Sequence, residues 1–440
     1  MFLRYTWYDY DELDRMIAVA ELDGPTVPTE SQIAAAKLTY SYDFDDNVTQ
    51  VAYPGHGNGI TTVKFEYNAY KWPTRVLVDT ESSNDQLVRE YAYNNDGKLK
   101  SVTDYRGVLT GEDGYILKEY GYDSFERVSS ITIKDSSDLN TVRESYAYTY
   151  DKNSNILTER IINNYPTEDS EKTNELRTHT YDCNGRLTKT VTSYPDDSSK
   201  SPVTYTYSYD AVGNRTAETE SGGETDKSTE YVYNSLNQLV SSTETTGETV
   251  TSEKTYLYDK TGNQIKETDS KTTEVREQTY DVAGNMTRLV KKTGETIELT
   301  QENQYNGNGQ RIRKSEADDT TIYFYQNGSV LYTTDGTDNL TSWNLLGSGG
   351  AVIGTTRGTG TAEEYYLYTK DIRESTTNII DDTGAVIVSY QYNDFGETES
   401  FGDETFFNEI CYTGGIHDAS TGIYYLNARY YTSLSNENFA

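Results

Sequence analysis

Few side chains in this sequence could make or break bonds, and their spacing argues against it. Histidine is scarce: His56, His179 and His417 are the three in 440 residues. The two cysteines, Cys183 and Cys411, stand far apart, with no CxxC or HxxxH anywhere. That spacing provides no metal site and no disulfide framework, so both thiols read as free and half-buried. Asp381-Asp382 is an acid pair, but two carboxylates hydrolyse glycosides only at a defined separation across a groove. Followed by Thr383-Gly384 and set between two apolar runs, the pair reads as a hairpin turn. His417, in GGIHDAS, reads as a solvated loop residue or a local hydrogen-bond partner. The GSGG at 347–350 lacks the Lys-Ser/Thr of a phosphate-binding loop and also reads as a turn. The abundant Asp and Asn match neither an EF-hand nor a calcium-binding nonapeptide, which leaves turn chemistry. No Ser-His-Asp or Cys-His arrangement emerges, and no cofactor is expected.

The elements that carry these residues must first exist, and bulk composition casts doubt on that. Lys plus Arg number 38 against 71 Asp plus Glu, a formal charge of −33. Leu, Ile, Val and Phe together make up only about 18% of the chain, a level that with high net charge warns of disorder. Yet 42 residues are Tyr against 10 Phe, and disordered polar chains are poor in aromatics. An acidic surface repels phosphate, so nucleic acid and anionic membranes are not expected partners. The longest apolar runs are a few residues, too short to span a bilayer as a helix. The start, MFLRYTWYDYDELDR, shows no signal peptide and reads as the inside of a repeat.

Internal periodicity settles the question. A motif of Tyr, Asp or Asn, two variable residues, often Gly, a polar residue and an aliphatic one recurs along the chain. Clear copies are YAYNNDGKL (91–99), YSYDAVGNR (207–215) and YVYNSLNQL (231–239). Anchor tyrosines fall at Tyr10, Tyr42, Tyr67, Tyr93, Tyr122, Tyr150, Tyr181, Tyr209, Tyr233, Tyr258, Tyr280, Tyr305 and Tyr325. Their spacing averages about 26 residues, as expected of a repeat with variable loops. Residues two apart share one face of a strand. Asx and Gly accept the positive φ that closes a hairpin. The Thr-, Ser-, Val- and Glu-rich stretches between motifs favour strands with a polar face. Clusters such as GGE (222–224) and TGE (246–248, 293–295) supply the opposite turns. Each repeat is therefore two antiparallel strands and two turns, and the fold class is all-β. One short helix is expected at PTESQIAAAK (28–37). Equivalent tyrosines on neighbouring repeats should form a cross-strand ladder, each ring with a solvated hydroxyl. Such a wall would be single-layered, polar on both faces, and without need of an ordinary core.

The repeat resembles the YD repeat of the Rhs proteins, whose relatives include wall-associated repeat proteins, the C component of Tc toxin complexes and teneurins. The segment YTGGIHDASTGIYYLNARYY (412–431) is similar to the hallmark of the Rhs-repeat-associated core. Its matching positions are Tyr412, Thr413, Gly414, Asp418, Thr421, Gly422, Ile423, Tyr424, Tyr425, Ala428, Arg429, Tyr430 and Tyr431. The resemblance implies repetitive antiparallel hairpins winding into a hollow β-shell (1–358), closed by a C-terminal plug, the core (359–440). It implies encapsulation and delivery of a C-terminal toxin or effector, with its immunity protein as a further partner, by a secreted or cell-surface protein. In several members the core cleaves its own chain, using the Arg of Ala-Arg-Tyr-Tyr and a downstream Asp. Here Thr432-Ser433 stands where the family has Asp-Pro, and that Asp would lie beyond residue 440. Arg429 is thus expected to be at most a remnant of that autoprotease, otherwise an ion-pair or hydrogen-bond donor, in a truncated core without enzymatic activity. A carbohydrate- or cell-wall-binding module is the alternative, because exposed tyrosine rows suit sugar stacking.

Overall fold

A computed structural model describes residues 4–24, 26–53, 60–80, 83–110, 114–165, 173–317, 319–358, 363–403, 405–427, 429–432 and 437–439. His56 and the expected boundary at 358/359 adjoin or lie in the segments outside these. Among the described residues, 32 strands form one sheet in which each pairs antiparallel with its sequence neighbour, from Arg4–Tyr10 to Thr398–Gly402. A second sheet of four short strands begins at Ile416–Asp418. The short helix forms over Glu30–Ala36, where Thr29 and Gln32 cap each other reciprocally.

Each anchor tyrosine sits at a register slip. Ala92 pairs with Ser101, but Tyr93 pairs with Leu99, so one residue of the opposing strand is skipped. The same slip recurs at Tyr150, Tyr181 and Tyr209. A bulge at every repeat adds twist and bends the strip, and the strip curls far enough to pack on itself. Late strands follow earlier ones in order. Trp343 stacks edge-on with Tyr53 at 4.9 Å, Asn378 donates to Glu144 at 3.0 Å, and Gln391 donates to Thr173 at 3.1 Å. Farther along, Tyr207 donates to Asp394 at 2.8 Å.

This inner layer departs from the expected two-faced polar wall. Along Thr376–Ile380 every residue is buried, whereas Arg215–Ser221 is half-buried beyond its first residue. A core centred on Trp343, Leu345, Ile379 and Ile380 joins residues from Leu38 to Tyr430. The reason lies in composition. Strands from Asp319 onward read TIYFY, SWNLL and TTNII, richer in large apolar side chains than the Thr/Glu strands before them. The polar wall describes the middle of the chain, and the last third supplies a covered interior.

Candidate functional site

The repeat builds the same local site many times. In a typical turn, Asp182 Oδ1 accepts the backbone N–H groups of Asn184 (2.9 Å) and Arg186 (3.0 Å). The Asp182 N–H donates to the Arg186 carbonyl, closing a five-residue loop. Gly185 takes φ +78° there, the left-handed region that glycine enters without penalty. The outer carboxylate oxygen of the Asp meets the side chain four residues on: Arg15, Arg127 and Arg186, or Asn47, Asn155 and Asn214. In Asn234, Asn306 and Asn393, which open their turns in place of Asp, the amide donates instead to Gln238, Gln310 and Glu397. The hydrogen bonds hold Asp43, Asp182 and Asp210 below the ordinary carboxylate range. The Thr261 hydroxyl and Asn263 amide bring Asp259 down to about 2. Asp381 belongs to the same series, accepting from Thr383 and Ala385, and the 347–350 glycines form an equivalent turn.

The anchor hydroxyls are not solvated as expected. Tyr42, Tyr67, Tyr93, Tyr122, Tyr150, Tyr181, Tyr209, Tyr233, Tyr280, Tyr305 and Tyr325 donate to a backbone carbonyl of the preceding repeat, at the position where the aliphatic residue of the motif stands. Tyr93 reaches Pro73 (2.7 Å), Tyr122 reaches Leu99 (2.7 Å), and Tyr181 reaches Ile156 (2.9 Å). Tyr209 reaches Leu187 (2.7 Å), Tyr233 reaches Arg215 (3.1 Å), Tyr280 reaches Gln264 (2.9 Å) and Tyr305 reaches Met286 (2.7 Å). Tyr258 packs beside the small cluster of Tyr231, Leu239 and Tyr256. Burial, with the neighbouring Tyr91, pushes the Tyr93 hydroxyl up to about 12, so it remains a donor at neutral pH. These tyrosines staple one repeat to the next, which is why Phe does not replace them.

The hallmark segment is built around Asp418. Its carboxylate is 1% exposed and receives two bonds from the fully buried Arg311, at 2.5 and 2.8 Å. Lys314 lies 3.3 Å from Asp418 and 2.6 Å from Glu409, and Gln301 donates to Asp418 at 3.1 Å. Burial alone would raise the acid, but Arg311 and Lys314 outweigh it and hold Asp418 well below the carboxylate range. Two cations and two carboxylates thus neutralise one another in the interior. Tyr425 accepts the Arg311 backbone N–H (2.7 Å) and donates to Gly309 (3.1 Å). Tyr430 lies 2.6 Å from the Tyr305 hydroxyl, which already donates to Met286, so Tyr430 is the donor there. Tyr431 donates to the Phe395 carbonyl at 2.6 Å, and Tyr424 pairs with Thr398. The Tyr412 ring lies against Tyr392 and Tyr424. Gly414 (φ +72°) and Gly422 (φ +70°) turn the chain between these contacts.

The structure therefore gathers Tyr412, Asp418, Tyr424, Tyr425, Tyr430 and Tyr431 onto the sheet but leaves Arg429 outside. Arg429 is exposed, and its guanidinium has no ion-pair or hydrogen-bond partner among the described residues, against the expected ion-pair role. His417 is half-buried and stacks on Tyr424 at 4.6 Å, so it is not a solvated loop residue; burial lowers it. His179 is buried, with its Nδ1 2.9 Å from Thr190 Oγ1. Cys183 is exposed and Cys411 buried, where burial pushes its thiol up. No group of three or more His, Cys, Asp or Glu stands together for a metal among the described residues. Missed at the sequence level were Arg311, Lys314 and Glu409, the partners of Asp418; Arg311 stands inside the copy YNGNGQRI, where nothing distinguishes it from a surface turn residue.

A cavity of about 70 Å³ holds a second ionic group. Arg373 bonds Glu159 at 3.0 Å and lies 3.7 Å from Asp371. Burial raises Asp371, whereas the charges of Arg373 and Arg177 overcome burial and lower Glu159. Opposed carboxylates of this kind can serve acid–base chemistry. Here the space is too small for a substrate, and Asp371 already accepts the N–H groups of Arg373 and Ser375. The group joins late strands to early ones.

No helix among the described residues is long and apolar enough to cross a membrane. The teneurin YD-shell family model matches residues 112–436. The tRNA nuclease WapA of Bacillus subtilis (strain 168) is 28% identical over 398 residues, covering 89% of this chain and 15% of that protein. The tRNA3(Ser)-specific nuclease WapA of Bacillus spizizenii is 26% identical over the same length and share. The chain thus spans about 15% of the length of these curated relatives. Among solved structures, the TcdB2-TccC3-Cdc42 crystal structure superposes with a TM-score of 0.73 at 16% identity, covering 98% of this chain and 22% of that one. The Photorhabdus luminescens Tc holotoxin pore, carrying TccC3-D651A, gives 0.64 at 15% identity over 98% of this chain and 22% of that one. The likeness extends over the whole antiparallel strip, and with the family match over most of its length the chain belongs to the teneurin YD-shell family.

Proposed function

We propose that this chain is the end of an encapsulating shell in an Rhs-type polymorphic toxin, acting as wall and plug and not as an enzyme. The observation that carries this reading is the neutralised cluster of Arg311, Lys314, Glu409 and Asp418, which fixes the 412–431 segment against the inner face of the strip. On this reading, residues 1–358 are wall and 359–440 belong to the core. The partner is a C-terminal toxin or effector domain, with its immunity protein, on a secreted or cell-surface protein. The relatives named as nucleases and the Tc toxin structures support a toxin context. The anchor hydroxyls that a sugar-binding surface would present are committed to carbonyls, which weighs against the carbohydrate alternative. The self-processing alternative rests on Arg429, which is exposed and has no carboxylate partner among the described residues.

The test uses a gene product extended past residue 440 with its following domain. Proteinase K should leave that domain intact within the full chain and degrade it when it is expressed alone. Equal digestion of both would refute encapsulation.

A further inference from the structure

The tyrosine staple is interrupted twice in succession along one edge of the inner layer. The residue paired with one anchor position carries the carbonyl that accepts from the next: Arg311, opposite Tyr305, accepts from Tyr325 at 2.6 Å, and Thr376, opposite Lys370, accepts from Tyr392 at 2.6 Å. Between them, on the same edge, stand Leu346 and Lys370 where tyrosines are expected, each directly before its turn. At the first break Asn344 compensates, donating to the Val330 carbonyl at 3.1 Å. At the second, no side chain among the described residues donates to the Val352 carbonyl.

A cavity of about 400 Å³ lies at this second break, bounded by Val330, Val352, Lys370 and the hallmark residues Thr413 to Ile416. That size lies within the range of small-ligand sites, about 300–1,000 Å³. The turns beside it are glycine-rich, so few side chains project into it. Lys370 is 8% exposed, and its ammonium has one carboxylate neighbour, Glu374, at 3.6 Å. Burial draws that ammonium down to about 8, so it is poorly compensated where it sits.

We propose that this cavity is a binding site for a phenolic ligand, a hydroxyaryl group taking the place of the missing anchor tyrosine. Its ring fills the space a tyrosine ring occupies in the other repeats. Its hydroxyl donates to the Val352 carbonyl, as the anchor hydroxyls do elsewhere, and accepts a hydrogen bond from Lys370. A phenol satisfies both because its oxygen donates one bond and accepts others. An aromatic hydrocarbon of the same size fills the space but leaves both polar groups unmet.

The probe is p-cresol, with toluene as the hydroxyl-free control, each titrated against the full chain by ligand-observed NMR. Wild type should bind p-cresol saturably and about ten-fold more tightly than toluene, the difference expected for a hydrogen bond to a charged group. Lys370→Tyr should refill the site from within, abolishing p-cresol binding while its melting midpoint stays at or above wild type. Lys370→Met keeps the cavity and should bring p-cresol down to the affinity of toluene; if Lys370→Tyr fails to fold by circular dichroism, this variant carries the test. Absence of saturable p-cresol binding, equal affinity for toluene, or undiminished binding by either folded variant would overturn the proposal.

Discussion

A tyrosine hydroxyl that donates to a carbonyl in another repeat changes what the residue costs to replace. Removing it leaves the acceptor half-buried with one partner fewer, a loss of about 1–2 kcal/mol. We expect Tyr122→Phe, which frees the Leu99 carbonyl, and Tyr209→Phe, which frees the Leu187 carbonyl, each to lower the urea midpoint by a comparable step. Tyr10→Phe, at an exposed anchor whose hydroxyl has no hydrogen-bond partner among the described residues, should not. Equal stability of Tyr122→Phe and wild type would contradict the staple. The anchor positions were legible in the sequence because they recur. The destination of the hydroxyl was not, because its acceptor is main chain and any residue can supply it: Pro73, Arg215 and Gln264 all do.

At the scale of the hairpin, the first and fifth turn residues form a complementary code. In several copies Asp is followed by Arg or Asn, and Asn by Gln or Glu, as Asp182/Arg186 and Asn234/Gln238 show. Asp182→Asn leaves Oδ1 to the backbone but removes the second oxygen that Arg186 grips. Adding Arg186→Gln recreates the Asn/Gln pair. A double-mutant cycle should therefore show favourable coupling of about 0.5–1 kcal/mol between the two changes, as for contacting residues. Strict additivity would dismiss the code. The same hydrogen bonds set the pH response of the turns. Asp259 and Asp335 are held at about 2, below the unfolded value of roughly 3.9, so they stabilise the turn above that unfolded value. That contribution is lost as pH falls toward about 2, where the folded carboxylates take up protons. Hydrogen exchange at the Asn263 and Asn339 amides, normalised for intrinsic rates, should lose protection over that interval and be flat near neutrality. The code was visible in the sequence as spacing, yet only the geometry of the loop shows that residues four apart face each other across it.

For the whole molecule, high charge and scarce aliphatics pointed toward disorder, and the strip answers both. Its middle strands need little core because the hairpin ladder, stapled by tyrosines, satisfies their backbone groups, while the apolar residues are concentrated after Asp319, where the strip packs on itself. The strand order was legible because each hairpin pairs with its neighbour. The inward packing was not, because contacts such as Asn378 with Glu144 join residues 234 apart with no local signature. The same holds for Asp418, marked by its motif, and Arg311, hidden in an ordinary copy of the repeat. Breaking that pair tests whether the end of the chain is held as a unit. Asp418→Asn leaves Arg311 and Lys314 buried with only Glu409 to balance them, and removing one partner of a buried pair costs about 3–5 kcal/mol. Because the backbone pairing of the sheet from Arg4 to Gly402 is separate from that of the hallmark strands, the loss should stay local. Limited trypsin digestion should cut the variant near Arg429 well before the strip is touched, while circular dichroism keeps its β signal. Wild-type resistance in Asp418→Asn would mean that the tyrosine contacts alone hold the segment. Loss of the whole β signal would mean that strip and plug fold as one cooperative body.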